Sequence, residues 1–327
     1  MKTLAYLLYG NRREYQLELT LSIASLLRHL QKQPSKVQIV LICDRESVRS
    51  DLPIECRIIE PSQFANWTRR GSYNHAAKVG ALTMMLENSD GPVALIDTDT
   101  IFMKHPDELF ERVKPGCSVM QADDRPIGEL DFWSSLLNTC PPDLLDFEIN
   151  PNSPMKNSGV IGVDQADAYA IKEASDLMFA MHDIEPVFNI EQFAVTCALA
   201  KNTILTVVPD LVHHYWPVHE RLFMHAMIDE MCPQFTEENL SRLVETPIKI
   251  GLPPKRVIDK INAAVRSRLF GWDGDYRFAF IAYRTALATE NPTHANIWRE
   301  IARLQLARGT HDSRRLKRDF PGLTINL

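Results

Sequence analysis

The chain has 327 residues, is 45% hydrophobic and 24% charged, and contains 13 glycines and 20 prolines. That is the make-up of a globular protein with one large domain or one and a half, which excludes disordered, collagenous and low-complexity classes. A formal net charge of −6 argues against a nucleic-acid binder, and no apolar run reaches the roughly 18 residues of a membrane-spanning helix.

The first half alternates short β-branched runs with stretches of helical period, the pattern of an α/β fold with a largely parallel sheet. Leu4–Tyr9 reads as a strand. Glu14–Gln31 reads as a helix with Leu17, Leu21, Ala24 and Leu27 along one side. Val37–Cys43 is a second strand ending at Asp44, and Ile54–Ile59 a third, closed by Pro61. Asn74–Glu87 is a helix, followed by the apolar strand Pro92–Ile96, which ends in Asp97-Thr98-Asp99. Ligands of open α/β sheets gather beyond the carboxyl ends of strands, which singles out Asp44, Asp97 and Asp99. Farther on, Cys117–Ala122 reads as a strand and Asn138–Asn157 as a proline-rich loop. Gly159–Val163 is another strand, and Asn189 is expected to cap a helix reaching Ala200. Thr203–Val208 is a strand leading to His213-His214-Tyr215-Trp216-Pro217.

Pro247, Pro253 and Pro254 mark a boundary near residue 250, so we expect a catalytic domain over 1–250 and a helical region over 251–327. The charge changes sign there. Residues 251–327 hold 14 Lys and Arg against 7 Asp and Glu, a net of +7, which leaves −13 on the rest. Gly274 to Gly309, with Ala286, Pro292 and Trp298, resembles a single tetratricopeptide-type helix pair; a hairpin packed on the catalytic domain is the plainer expectation. The six cysteines are widely spaced without a CxxC pair and are expected to be reduced, with Cys43 and Cys197 as small buried hydrophobes. The opening MKTLAYLLYG is too short an apolar stretch for a signal peptide, so a cytoplasmic location is expected.

Chemistry concentrates in Asp97-Thr98-Asp99. Carboxylates two apart on a continuing strand point to one face, and oxygen ligands of that kind suit Mg²⁺ or Mn²⁺. His213 and His214 would face opposite sides of a strand, so at most one of them is a ligand. Lys78 offers a fixed cation near this motif, with Arg70 as a looser candidate. Asn157-Ser158-Gly159 reads as a turn: Gly159 allows close backbone approach, and Asn157 can hydrogen-bond a ligand through donor and acceptor alike. Glu191 is a candidate general base or acceptor-orienting group, with Gln192 beside it.

These pieces occur along residues 1–220 in an order that resembles nucleotide-sugar glycosyltransferases of the GT-A fold, most like the glycogenin and bacterial lipopolysaccharide galactosyltransferase group. The segment Leu8-Tyr9-Gly10 with Tyr15 resembles the one that holds the nucleotide base. The helix carrying Lys78 resembles the basic helix before the metal motif, and Asp97-Thr98-Asp99 resembles that DxD motif. Asn157-Ser158-Gly159 resembles the family's NSG turn, Glu191-Gln192 its acidic-Gln pair and His214 its late metal-binding histidine. The resemblance implies a GT-A-type α/β/α sandwich with a mixed, mostly parallel sheet and a C-terminal helical appendage. It implies Mn²⁺ or Mg²⁺ held by Asp97, Asp99 and His214. A nucleotide-sugar donor would lie against Leu8, Tyr9, Gly10, Tyr15, Asp44, Lys78, Asp97, Thr98 and Asn157. Catalysis would involve Asp97, Glu191 and Gln192, the acceptor being a saccharide or glycolipid of the lipopolysaccharide or polysaccharide type. The chain departs from the family's Lys-Pro-Trp element, reading Tyr215-Trp216-Pro217-Val218-His219 after the histidine, so no diphosphate-binding lysine is assigned there.

Two rival readings belong beside this one. An apolar strand ending in Asp-x-Asp also opens haloacid-dehalogenase-type phosphatases, with Asp97 as nucleophile and Asp123-Asp124 as a later acidic motif, but about ninety residues precede it here. A non-catalytic transferase-like binding protein is the other. Finally, the basic tail suggests peripheral contact with anionic lipid at the inner membrane face.

Overall fold

The computed structural model describes residues 1–309 and 311–324, without the side chain of Ser313. The chain divides into two compact units, Met1–Tyr215 with Met231–Pro247, and Trp216–Glu230 with the residues from Ile248 on.

The first unit is an α/β structure around a seven-stranded sheet. The apolar runs β1 (Lys2–Leu8), β2 (Val37–Cys43), β3 (Glu55–Ile58) and β4 (Val93–Ile96) run parallel to one another, joined by α1 (Arg13–Lys32), α2 (Pro61–Trp67) and α3 (Ala76–Glu87). After Asp99 come the short β5 (Thr100–Phe102), α4 (Pro106–Arg112) and β6 (Cys117–Asp123). The proline-rich stretch holds α5 (Ser134–Thr139) and a small hairpin of β7 (Asp143–Leu144) and β8 (Phe147–Glu148). Then follow β9 (Lys156–Val163), α6 (Ala168–Ile184), α7 (Ile190–Asn202), β10 (Ile204–Val207) and β11 (Val212–His214), with α9 (Glu237–Glu245) after a helix that belongs to the second unit.

Sheet order is β10-β6-β9-β4-β1-β2-β3, and β9 alone runs antiparallel to its neighbours β4 and β6. Alternation along the strands sorts their side chains between two helical layers. Ala5, Val40, Ile42, Leu95 and Ile161 pack with α3, α6 and α7, whereas Tyr6 turns the other way and shares a hydrogen bond with Ser22 of α1 at 2.9 Å. The result is an α/β/α sandwich.

Three local expectations change. Asn157-Ser158-Gly159 is no turn; it lies inside β9, which begins at Lys156 and pairs Asn157 with Ala122 of β6 before an irregularity in the register, while the Ser158 and Gly159 N–H groups go to the side chains of Gln192 and Asn157. Asn189 precedes α7 but does not cap it; its Oδ1 instead accepts the Trp133 indole N–H at 2.9 Å. Helix α6 was not assigned from the sequence, although Ala170, Ala174, Leu177, Met178 and Met181 line its buried face at helical spacing. All six cysteines are free; burial pushes the Cys43 and Cys197 thiols up to about 12.

In the second unit α8 (Val218–Met231), α10 (Val257–Phe270), α11 (Gly274–Ala288), α12 (Pro292–Leu306) and α13 (Ser313–Asp319) share a core that includes Phe223, Trp272, Phe280, Trp298 and Phe320. The helices start on Asp273, Asn291 and Asp312, each accepting a backbone N–H three residues on, and α10 ends on Gly271 in the left-handed region. The pair α11–α12 therefore buries its face with help from α8, α10 and α13. No helix among the described residues is long and apolar enough to cross a membrane.

Candidate metal centre

Strand β4 delivers Asp97 and Asp99 to the carboxyl edge of the sheet, and a polar seam with α1 fixes the turn that follows. Tyr6 is bonded to Ser22, Ser22 to Thr100 at 2.9 Å, and the Thr100 hydroxyl donates to the Asp97 carbonyl at 2.8 Å. Ser25 accepts the Phe102 N–H at 2.9 Å, and the Thr98 hydroxyl donates to buried Glu18 at 3.0 Å. The short β5 pairs antiparallel with β11, which sets His214 opposite Thr100 and puts the Tyr215 N–H 3.0 Å from the Asp99 carbonyl.

His214 comes to lie between three partners. Its Nε2 stands 3.0 Å from Asp99 Oδ1 and 3.8 Å from Asp97 Oδ2, and one ligand atom from each of the three residues falls within 4.8 Å of the others. On the far side, Nδ1 is 2.9 Å from Asn157 Oδ1. That oxygen already accepts the Gly159 N–H at 2.8 Å, so Nδ1 carries the proton and donates to it. In a neutral ring Nε2 is then a lone pair facing two carboxylates. That lone pair makes the three side chains a ligand set for a cation, whereas a proton on Nε2 would be donated to Asp99 Oδ1 at 3.0 Å.

Glycine is required at 159 for this seating. A Cβ there would lie 2.3 Å from His214 Nδ1, so the close approach inferred from the sequence is made by the histidine ring.

Lys78 of α3 closes the site. Its ammonium donates to Asp97 Oδ2 at 2.6 Å and to Ser158 Oγ at 3.3 Å. Burial disfavours its charge, but Asp97, Glu191 and Asp99 outweigh that and hold its pKa above the ordinary lysine value. Glu191, buried at the start of α7, accepts the Ser158 hydroxyl at 3.2 Å and the Tyr73 hydroxyl at 2.8 Å. Burial, then the Glu191 charge, raises the Tyr73 pKa. Gln192 accepts the Ser158 N–H and donates to Asp124, both at 3.2 Å. Asp97, Asp99 and Glu191 around one ammonium give the site an excess of negative charge, which favours a cation there.

The remaining candidates form a second group at the ends of β1 and β2. Leu8 is buried; Gly10, at φ +79°, donates its N–H to Asp44 Oδ2 at 2.7 Å. Asp44 Oδ1 accepts the Ser47 N–H, so both carboxylate oxygens serve the backbone of the two strand-end turns. Tyr9 packs against Phe64 with the rings tilted at 53° and centroids 4.6 Å apart. Burial raises the Tyr9 pKa. Arg70 is exposed in a left-handed turn. Asp123 pairs with Lys156. Sequence alone assigns no part to Glu18, Ser22, Tyr73 or Thr100 and names Ser158 only within the Asn157-Ser158-Gly159 motif; these are residue types whose value appears only in their partners.

No family model matches the chain, and no curated protein matches it. Solved structures do. The galactosyltransferase LgtC in complex with donor and acceptor sugar analogs aligns with a TM-score of 0.46 at 12% identity, covering 76% of this chain and 97% of that one. Mouse xyloside xylosyltransferase 1, in its apo form, aligns with a TM-score of 0.42 at 13% identity, covering 63% of this chain and 84% of that one.

Proposed function

We propose that the chain is a metal-dependent glycosyltransferase that moves a hexose from a nucleotide sugar, taken as UDP-linked, to a saccharide or glycolipid acceptor in the cytoplasm. In this reading residues 1–250 are a GT-A-type catalytic domain and 251–327 its basic helical appendage. One observation carries it: the His214 ring is oriented by Asn157 so that Nε2 faces Asp97 and Asp99, with Lys78 paired to Asp97. The order of motifs along the chain supplies the substrate class.

Asp97, Asp99 and His214 would hold Mn²⁺ or Mg²⁺. When bound, the cation would supply Lewis-acid stabilisation of the departing nucleoside diphosphate. Lys78 adds a fixed positive charge for phosphate or sugar oxygens. The residues assigned to the nucleotide are Leu8, Tyr9, Gly10, Tyr15, Asp44 and Thr98, among which Leu8 is buried and Gly10 is bonded to Asp44. Asn157 spends its oxygen on Gly159 and His214, which leaves donation from its amide nitrogen for a sugar hydroxyl. Glu191 is buried between Tyr73 and Ser158, a placement that suits orienting Lys78 better than meeting an acceptor. Gln192 remains the candidate beside the anomeric carbon. The phosphatase reading assigns no part to His214 or Asn157.

The test is Mn²⁺-dependent hydrolysis across a panel of nucleotide sugars, with Asp99→Ala as the key variant. We expect turnover of one donor class, lost in the variant while the fold persists. Unimpaired turnover by Asp99→Ala would remove the metal assignment, and absence of turnover and of thermal stabilisation by Mn²⁺ with UDP would leave the non-catalytic reading.

A further inference from the structure

Helix α10 carries its apolar residues on the outside. Val257, Ile261, Val265 and Leu269 repeat every four residues, and they are 69%, 55%, 52% and 71% exposed. Ile258, at 53%, widens the stripe. An inward face of Asp259 and Ala263 accompanies it, so the usual polarity of a surface helix is reversed. Asp259 is the only acidic residue of the helix. It is 1% exposed and paired with Arg256 and Arg284 at 3.5 Å. The outward surface is therefore apolar and basic, with Lys260 and Arg268 beside the stripe.

At its C-terminal end the helix meets a cleft of about 360 Å³ lined by Phe270, Asp312, Arg314, Arg315 and Arg318. Asp312 is committed to the N–H of Arg315 as the cap of α13, and Arg318 lies 5.2 Å over the Phe270 ring. Apolar side chains thus sit next to guanidinium groups at one end of the stripe.

We propose that α10 and this arginine cleft form a docking surface for an anionic lipid bilayer. Aliphatic side chains would enter the headgroup boundary while Lys260, Arg268 and Arg314 meet lipid phosphates. The charge of the region, +7 over residues 251–327, favours that occupant. A second copy of the chain is the poorer one: a 14-residue helix is about 21 Å long, and a strip roughly 10 Å wide covers about 200 Å². A stable dimer needs roughly 800 Å² per partner. The proposal does not depend on the transferase reading.

Co-sedimentation of the full chain with phosphatidylcholine vesicles, with and without phosphatidylglycerol, tests it. Binding should require phosphatidylglycerol and weaken as salt rises. Ile261→Glu with Leu269→Glu should reduce binding by at least about tenfold. Arg268→Ala and Arg314→Ala should each cost about fivefold. Far-UV circular dichroism and sugar-nucleotide hydrolysis should stay as in the wild type, since these side chains face solvent. Equal binding to both vesicle types, no binding to either, or binding that survives the double Glu variant would overturn the proposal. So would displacement by millimolar inorganic phosphate, which indicates a small-anion site, or a dimer in light scattering that Ile261→Glu dissolves.

Discussion

Replacing Gly159 by alanine tests the geometry of the metal centre from its least conspicuous member. The added Cβ would sit 2.3 Å from His214 Nδ1 and 2.7 Å from its Cε1, well inside any tolerated contact. Strand β9 cannot yield easily, being paired with β4 on one side and β6 on the other. The ring must therefore move, by about 1 Å to regain an ordinary van der Waals separation. Such a shift breaks the Asn157 hydrogen bond and turns Nε2 off the carboxylates. Overpacking of this kind costs about 1–3 kcal/mol in stability, and disturbing the partner that orients a ligand costs about 10–100-fold in metal affinity. Gly162 provides the comparison within the same strand. A Cβ there would meet Val119 at 2.6 Å and Val113 at 2.8 Å, side chains remote from the ligand set. Gly162→Ala should lose stability and keep its Mn²⁺ affinity, whereas Gly159→Ala should lose both. Urea melts and Mn²⁺ titration calorimetry on the two variants make the measurement. Wild-type Mn²⁺ affinity in Gly159→Ala would refute the seating of His214 described above.

Other substitutions probe separate links. Lys78→Gln removes the cation that shares Asp97, so Mn²⁺ should bind severalfold tighter while donor hydrolysis falls by about 10²-fold or more; weaker metal binding in calorimetry would contradict the charge balance. Asn189→Ala should destabilise by about 1–3 kcal/mol through the orphaned Trp133 indole N–H rather than through a lost cap. Restoration of stability in Asn189→Ser, a residue that caps well but does not reach the indole, would count against that account. Asp319 is buried, which disfavours its charge, yet bonds from Arg318 and Tyr276 outweigh this and hold its carboxyl below the ordinary aspartate value. A depressed carboxyl pKa contributes stability that is fully present above the unfolded-state value, about 3.9, and is lost as pH falls through the folded-state value. Near-UV circular dichroism should therefore show melting points dropping below about pH 4, a dependence that Asp319→Asn should weaken.

How much of this was legible from the sequence follows from the range of the interactions. Strands β1, β2 and β4 announce themselves because both faces are buried and the apolar run is continuous. Asp97, Asp99 and His214 stand out because acids and histidines at strand ends are few. The start of β9 was hidden by composition: Lys156, Asn157 and Ser158 are polar because they face a site, and polar residues beside prolines read as a loop. Asn189 looked like a cap for the same reason, since its residue type serves helix ends and indole groups equally well. The contacts of Ser22, Tyr73 and Ser158 are silent in sequence. Their partners lie 78, 118 and 33 residues away, and only the folded sheet supplies them.

The single antiparallel strand explains why one short segment can serve two jobs. Because β9 runs against β4, its first residues lie beside the last residues of β4, and the Asp97 N–H reaches the Gly159 carbonyl at 2.9 Å. Side chains along a strand alternate between faces. Asn157 and Gly159 share a face, one holding the His214 ring by a hydrogen bond and the other making room for it. Ser158 points to the opposite face and joins Lys78 to Glu191. Asp97 belongs to both groups, through Lys78 on one side and His214 on the other. A parallel β9 would carry these residues to the far end of the sheet, and a slip of one residue would present Ser158 to the histidine and Asn157 and Gly159 to the lysine. The metal ligands and their counter-charge are thus positioned by the direction and register of one strand, which is why no single residue in Asn157-Ser158-Gly159 can be exchanged without disturbing a partner from another element.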